Sequence, residues 1–191
     1  MMTMKLLGRP LLIRLLSLLL AAAPVALLGS CNTENVLAKA AREHEEEFKK
    51  IDDGLIMAYL TRHNITNYQR LNSGMYLVPI TEGTGTAVTS GKTVEVKYIG
   101  KFLTANRDGE IFDNSTDNRT PCGCISFVVG AGRVIKGWDQ GLLSFKKGDR
   151  KLLLIPSYLA YGPTGSRRPD GSYGILPDTP LLFDMEILNV Q

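Results

Sequence analysis

The chain has 191 residues, 44% hydrophobic and 21% charged, which describes one globular domain with extra segments, long enough to bury a proper core. Its formal net charge of +3 is carried by Lys5, Arg9 and Arg14, which precede residue 31 in a stretch without acids. The rest is balanced, so the basic footprint of a nucleic-acid binder is absent.

The segment MMTMKLLGRPLLIRLLSLLLAAAPVALLGSC has a cationic start, an apolar run from Leu15 and small residues before Cys31, the layout of a secretory signal. It is too short and too interrupted for a comfortable membrane span. Leu28-Gly29-Ser30-Cys31 resembles the bacterial lipobox, whose cysteine is lipidated and becomes the first mature residue; an ordinary signal with an incidental cysteine is the alternative. The expectation is a signal peptide over residues 1–30 and a lipid anchor on Cys31. Such an anchor holds the protein in the bacterial cell envelope, on the periplasmic face of the inner membrane or on the outer membrane.

From Val36 to about Lys50 the apolar residues Leu37, Ala41, Phe48 and Ile51 recur at threes and fours, and Glu45 and Glu46 precede Lys49 and Lys50 by four. That pattern predicts an amphipathic helix with internal ion pairs. Asp52 and Asp53 can cap a second short helix through Leu60, with Asn64 as its stop. Residues 31–72 thus read as a helical spacer behind the anchor, with His44 and His63 as solvated residues; too few clean heptads are present for a coiled coil.

After Asn72 the texture changes to strands divided by glycine-rich turns: Met75–Ile80, Thr93–Phe102, Ile125–Val129, Lys151–Ile155 and Leu181–Asn189. Only Val134–Leu143 reads as helical in this half. Residues 73–191 are therefore expected to form an α+β domain, an antiparallel sheet with one short helix packed on it.

Several motifs fail on their own terms. Gly85 to Thr93 has five residues between its glycines where a phosphate loop has four, and a strand pattern follows where that loop needs a helix. His44-Glu-Glu-Glu lacks the second histidine of a zincin helix, and no nucleophilic triad assembles without His44 or His63. Cys122-Gly123-Cys124 can close a strained disulfide, and the pair lacks the four ligands of a structural zinc site. No metal or cofactor is expected.

The remaining aromatics fall into strings: Tyr98 in VKYIG, Phe112-Asp113 in GEIFDNS, Val134-Ile135 and Trp138 in VIKGWDQGL, Tyr161 in PSYLAYGPTG, and Phe183 in LLFDMEIL. Together they make residues 75–191 resemble the FK506-binding-protein (FKBP) type of peptidyl-prolyl cis-trans isomerase. The resemblance implies a curved antiparallel β-sheet wrapped around one short α-helix, with Trp138 as the floor of a pocket for proline. It further implies Tyr98, Phe112 and Phe183 as walls and Val134 and Ile135 as rim, with Leu176 in GILP a further apolar contact. The Ile135 N–H and the Tyr161 hydroxyl become donors to ligand carbonyls, and Asp113 a polar group in the wall.

Ile125 stands where the family often has an aromatic. Arg119 is the best match for an arginine that pairs with Asp113, Arg133 occupies a usually acidic or polar position, and the loop Gly165–Gly174 is longer than in minimal members. The implied partners are proline-containing polypeptide clients and macrolide inhibitors, and the implied activity is assistance to the folding of exported proteins. The alternative is a non-catalytic chaperone or scaffold of the same fold.

Overall fold

The structure, a computed structural model, describes residues 33–191; the leader and Cys31 lie outside the described residues. The chain divides into two compact units, residues 1–41 and 42–191. In the first, residues 35–41 are helical and exposed. Apart from the first turns of helix α1, all that follows concerns the second.

Helix α1 spans Thr33–Arg62 as one element, not as two helices broken at Asp52. Asp53 and Gly54 are poor helix formers, but Asp52, Ile56, Tyr59 and Leu60 recur at fours and threes and are all buried. Packing of that stripe outweighs the local propensity, of which a mid-helix glycine costs only about 1 kcal/mol. The expected stop is real. Asn64 has φ 53°, and the Ile65 N–H reaches back to the Leu60 carbonyl at 2.8 Å while the Asn64 N–H meets Thr61 at 3.1 Å, the paired bonds of a left-handed C-cap.

Seven strands form one antiparallel sheet: β1 Gln69–Arg70, β2 Tyr76–Thr81, β3 Thr93–Phe102, β4 Ile111–Asn114, β5 Ile125–Val128, β6 Arg150–Ile155 and a last strand Leu181–Val190. A separate hairpin, β7 Ser166–Arg167 with β8 Tyr173–Ile175, makes that last strand β9. The order is β1-β2-β6-β9-β3-β4, with β5 also paired to β3. The short strands β1, β4, β7 and β8 were not expected, and the helix expected over 134–143 is α2, Lys136–Gly141, followed by a 3-10 turn at Leu142–Ser144.

Strand alternation sorts the apolar residues into two cores. Leu153 and Ile155 of β6 and Leu181, Phe183, Met185 and Ile187 of β9 join Val94, Val96 and Tyr98 of β3 against α2. Leu154 and Leu182 face the other way, with Tyr76 and Val78, and meet Ile56, Tyr59 and Leu60 of α1. The spacer assigned to residues 31–72 is corrected here: from Ile56 onward the helix covers a sheet face. The unbroken runs LLLI and LLF belong to strands buried on both sides.

The two histidines are not free residues of a spacer either. His44 Nε2 lies 3.0 Å from Asp178 Oδ1, and His63 Nε2 lies 2.9 Å from Asp108, which also pairs with Arg62 at 2.6 Å. Fully buried Asp52 accepts the N–H and the hydroxyl of Ser157, both at 2.7 Å. This bond ties α1 to the turn that leads into Tyr161.

Candidate functional site

A cavity of about 440 Å³ opens between α2 and the concave face of the sheet. Its size is that of a small-ligand site. What places α2 there is a pair of glycines on its sheet side. A Cβ on Gly137 would lie 2.5 Å from Ile155 Cγ2, and one on Gly141 would lie 2.7 Å from Leu153 Cδ2. With those methyls absent, the helix lies directly on β6 and turns Trp138 toward the cavity.

Trp138 is both floor and core. It is 5% exposed and borders the cavity, while its ring meets Tyr98 at 4.8 Å and 74° and Phe183 at 5.0 Å and 86°. These edge-to-face contacts fix all three rings. Among the described residues no acceptor meets the buried Trp138 Nε1–H.

The entrance is set by Asp139, which sequence reading passed over. Its two carboxylate oxygens accept the Gly130 and Gly132 N–H groups at 2.8 and 2.9 Å. The bonds pin the glycine turn to α2, so that Gly132 and Arg133 also line the cavity. Beyond them Val134 and Ile135 form the rim, and Ile135 (φ −59°, ψ 150°) is extended just before the helix. Its N–H donates to no partner among the described residues.

Polar groups occupy the opposite wall. Tyr98 Oη donates to Asp113 Oδ2 at 2.8 Å, and the Tyr98 N–H donates to Ser115 Oγ at 3.1 Å. The partner of Asp113 is thus Tyr98; the expected pairing with Arg119 does not form among the described residues. Burial, with the nearby Asp113 charge, pushes the Tyr161 phenol above its ordinary value. At neutral pH it remains a hydrogen-bond donor.

Of the ten pocket residues expected from sequence, the cavity gathers eight: Tyr98, Asp113, Ile125, Val134, Ile135, Trp138, Tyr161 and Phe183. Phe112 stands behind them, its ring 5.5 Å from Phe183 at 87° and 5.0 Å from Phe102. The register explains it. Gly100 faces Asp113 and Lys101 faces Ile111, which leaves Phe112 as the extra residue of a bulge, bordering an adjoining hollow. Leu176 is 53% exposed and lies outside the walls, because its neighbour Ile175 takes the inward position of β8.

Residues 84–188 match the family model described as FKBP-type peptidyl-prolyl cis-trans isomerase. An FK506-binding protein of Streptomyces anulatus is 41% identical over 111 residues, covering 58% of this chain and 82% of that one. FK506-binding protein 2 of Yarrowia lipolytica is 42% identical over 101 residues, 53% of this chain. The chain spans 62% of that relative and only 6% of FK506-binding protein 5 of Dictyostelium discoideum. Among solved structures, a peptidyl-prolyl cis-trans isomerase from Pseudomonas syringae pv. tomato superposes with a TM-score of 0.59 at 29% identity, covering 76% of this chain and 95% of that one. With the family model spanning more than half of the sequence, and the sheet, α2 and aromatic cavity arranged as its strings implied, the chain belongs to the FKBP-type peptidyl-prolyl cis-trans isomerase family.

Proposed function

We propose that the cavity catalyses cis-trans rotation about prolyl peptide bonds in exported polypeptides. The observation that carries this reading is the Trp138 floor, locked edge-on by Tyr98 and Phe183 under an open cavity of about 440 Å³. Rotation about a prolyl amide has a barrier of about 18–20 kcal/mol because it breaks C–N resonance. The planar amide is more charge-separated than the twisted one, so an apolar site that excludes water favours the twisted form.

No nucleophile is required. Trp138, Tyr98 and Phe183 receive the pyrrolidine ring, with Phe112 bracing Phe183, while Val134 and Ile125 close the sides. The Ile135 N–H and the Tyr161 hydroxyl hold the flanking carbonyls, and Asp113 orients the Tyr98 phenol. A macrolide fits the same cavity, in keeping with relatives named FK506-binding proteins. A binding module without turnover is the second reading, favoured by Ile125 and the long 165–174 loop.

A protease-coupled assay on the full chain with a Xaa-Pro peptide tests the proposal. Exchange faster than the uncatalysed rate, and abolished by FK506, is expected. An uncatalysed rate from folded protein removes the enzymatic reading and leaves the binding module.

Residues 1–30 act as the signal and lipidated Cys31 as the anchor, placing the domain in the bacterial cell envelope. The cationic start, apolar run and lipobox support this, as does the Cys122–Cys124 disulfide, since such bonds persist in oxidising compartments. Cys31→Ser is expected to move the protein from the membrane fraction to the soluble one. Retention at the membrane would point instead to an uncleaved leader or a protein partner.

A further inference from the structure

Cys122 and Cys124, which isomerisation does not use, are joined by a disulfide on the segment that leads into a cavity wall. The residue after Cys124 is Ile125, one of the cavity walls. Gly123 bridges the pair in the left-handed region, φ 58°, where a side chain would be strained. Its carbonyl accepts the Ser115 hydroxyl at 2.7 Å, and Ser115 Oγ in turn accepts the Tyr98 N–H. Thr120 Oγ1 holds the other end, accepting the Cys124 N–H at 3.0 Å and donating to the Cys124 carbonyl at 2.8 Å. The loop is therefore already held to the sheet side of the pocket by hydrogen bonds.

A staple across one residue adds little to that. It closes so short a loop that it removes little freedom from the unfolded chain. The two sulfur-bearing residues also differ in access: Cys124 is 4% exposed whereas Cys122 is an exposed residue. A short, one-sidedly accessible disulfide has the character of the labile, exchange-active class and not of a buried structural bond.

We propose that Cys122–Cys124 is a thiol–disulfide exchange site, acting on the cysteine thiols of a polypeptide whose proline occupies the neighbouring cavity. The coupling to the cavity rests on the prolyl-binding reading; the exchange chemistry does not. A client thiolate attacks the accessible Cys122 sulfur, the Cys122–Cys124 bond breaks, and Cys124 leaves as a thiolate. The second client thiolate then attacks the client sulfur of this mixed disulfide and expels the Cys122 thiolate. The Thr120 hydroxyl lies 3.6 Å from Cys122 Sγ and can turn to donate to that thiolate by releasing the Cys124 carbonyl. Two electrons pass from the client to the pair, and the two protons lost by the client thiols end on Cys122 and Cys124. A further turnover requires a low-molecular-weight disulfide to reoxidise the pair.

The test uses the oxidised full chain, without air, and a reduced peptide carrying two cysteines that flank a proline. One equivalent of peptide disulfide per chain is expected by mass spectrometry, with two new thiols on the protein. The double variant Cys122→Ser, Cys124→Ser should form none. At subsaturating concentration a peptide with alanine in place of proline should react about tenfold more slowly, since it loses the high local concentration that cavity binding provides. Cys124→Ser, given the oxidised peptide, should collect a mixed disulfide through Cys122.

Isomerase rates on the same samples report folding and separate the two readings. Loss of oxidation with a normal isomerase rate is the expected result for the double variant. For the oxidised wild type, peptide oxidation no faster than with the double variant overturns the exchange site. Equal rates for the proline and alanine peptides overturn its coupling to the cavity. Absent isomerase activity with intact oxidation counts against the prolyl reading alone.

Discussion

On β6 and β9, Leu153, Ile155, Leu181 and Phe183 share a core with Trp138 of α2 while Leu154 and Leu182 share one with α1, and the two interfaces are built from different material. Toward α1 the contact is aliphatic and tyrosine side chains exposed by 9% or less, supplied by Ile56, Tyr59, Leu60, Leu154 and Leu182. Toward α2 the helix has only six residues, its sheet side is glycine, and its one large apolar side chain is an aromatic whose N–H meets no acceptor among the described residues. One face is packed for stability, and the other gives up packing to surround a cavity. A binding site of this kind is affordable because the reverse face of the same strands is filled.

The largest expected effect comes from opening the filled face. Leu154→Ala should lose about 2–5 kcal/mol of unfolding free energy in urea, the range for buried leucines, while the kcat/KM of the folded fraction stays unchanged. A parallel fall in that kcat/KM would show that the two faces do not act separately.

Next in size is a pH effect at the joint between α1 and the Tyr161 turn. Burial raises the Asp52 carboxyl to about 6, against the ordinary 3.8; Ser157 opposes the rise and the Asp178 charge adds to it. The folded state therefore holds a proton that the unfolded state releases. That contribution is fully present below about pH 4 and is lost as the pH rises through about 6. It is of the order of 1–3 kcal/mol. Asp52→Asn, which keeps an acceptor for Ser157, should flatten the Tm profile over this window and match or exceed the wild type at pH 7.5. A slope unchanged by the substitution would assign it to other groups.

On the cavity face, Trp138→Leu keeps apolar contact with the sheet but loses the edge-to-face pairs with Tyr98 and Phe183. We expect a stability loss of about 1–3 kcal/mol with kcat/KM at least about tenfold lower in the folded fraction. Large destabilisation with normal specific activity would return Trp138 to the core alone. The smallest stability change belongs to Asp113→Ala, an exposed carboxylate whose bond is to the Tyr98 phenol. Its Tm should stay close to that of the wild type, with kcat/KM reduced about tenfold, equivalent to about 1.4 kcal/mol of transition-state stabilisation.

The cavity was legible because its residues sit in strings with local meaning: a strand carrying Tyr98, a glycine-preceded Trp138, and Phe183 in an apolar run. What escaped were decisions made elsewhere in the molecule. Asp52-Asp53-Gly54 reads locally as a helix break, and residues far along the chain, Leu154 and Leu182 together with Tyr76, Val78 and Leu103, keep the helix whole. The bulge that sets Phe112 behind Phe183 depends on pairing with Gly100, and the partner of Asp113 is a phenol on another strand. A signal for the α1 seat was nevertheless present. The run LLLI has no polar alternation, so both faces of that strand had to find cover.

Strand β9 also dictates when the molecule can exist. It pairs with β6 along one edge and with β3 along the other, from Phe102↔Leu181 to Val94↔Val190. Before residues 181–190 leave the ribosome, β3 has only β4 and β5 beside it and β6 has only β2. The emerging chain is two unjoined half-sheets, each showing hydrophobic edges that invite aggregation. Long-range closure of this kind is slow relative to local structure. Because Phe183 arrives with β9, the pocket cannot receive a proline before that strand docks, and binding competence switches on in one step when it does.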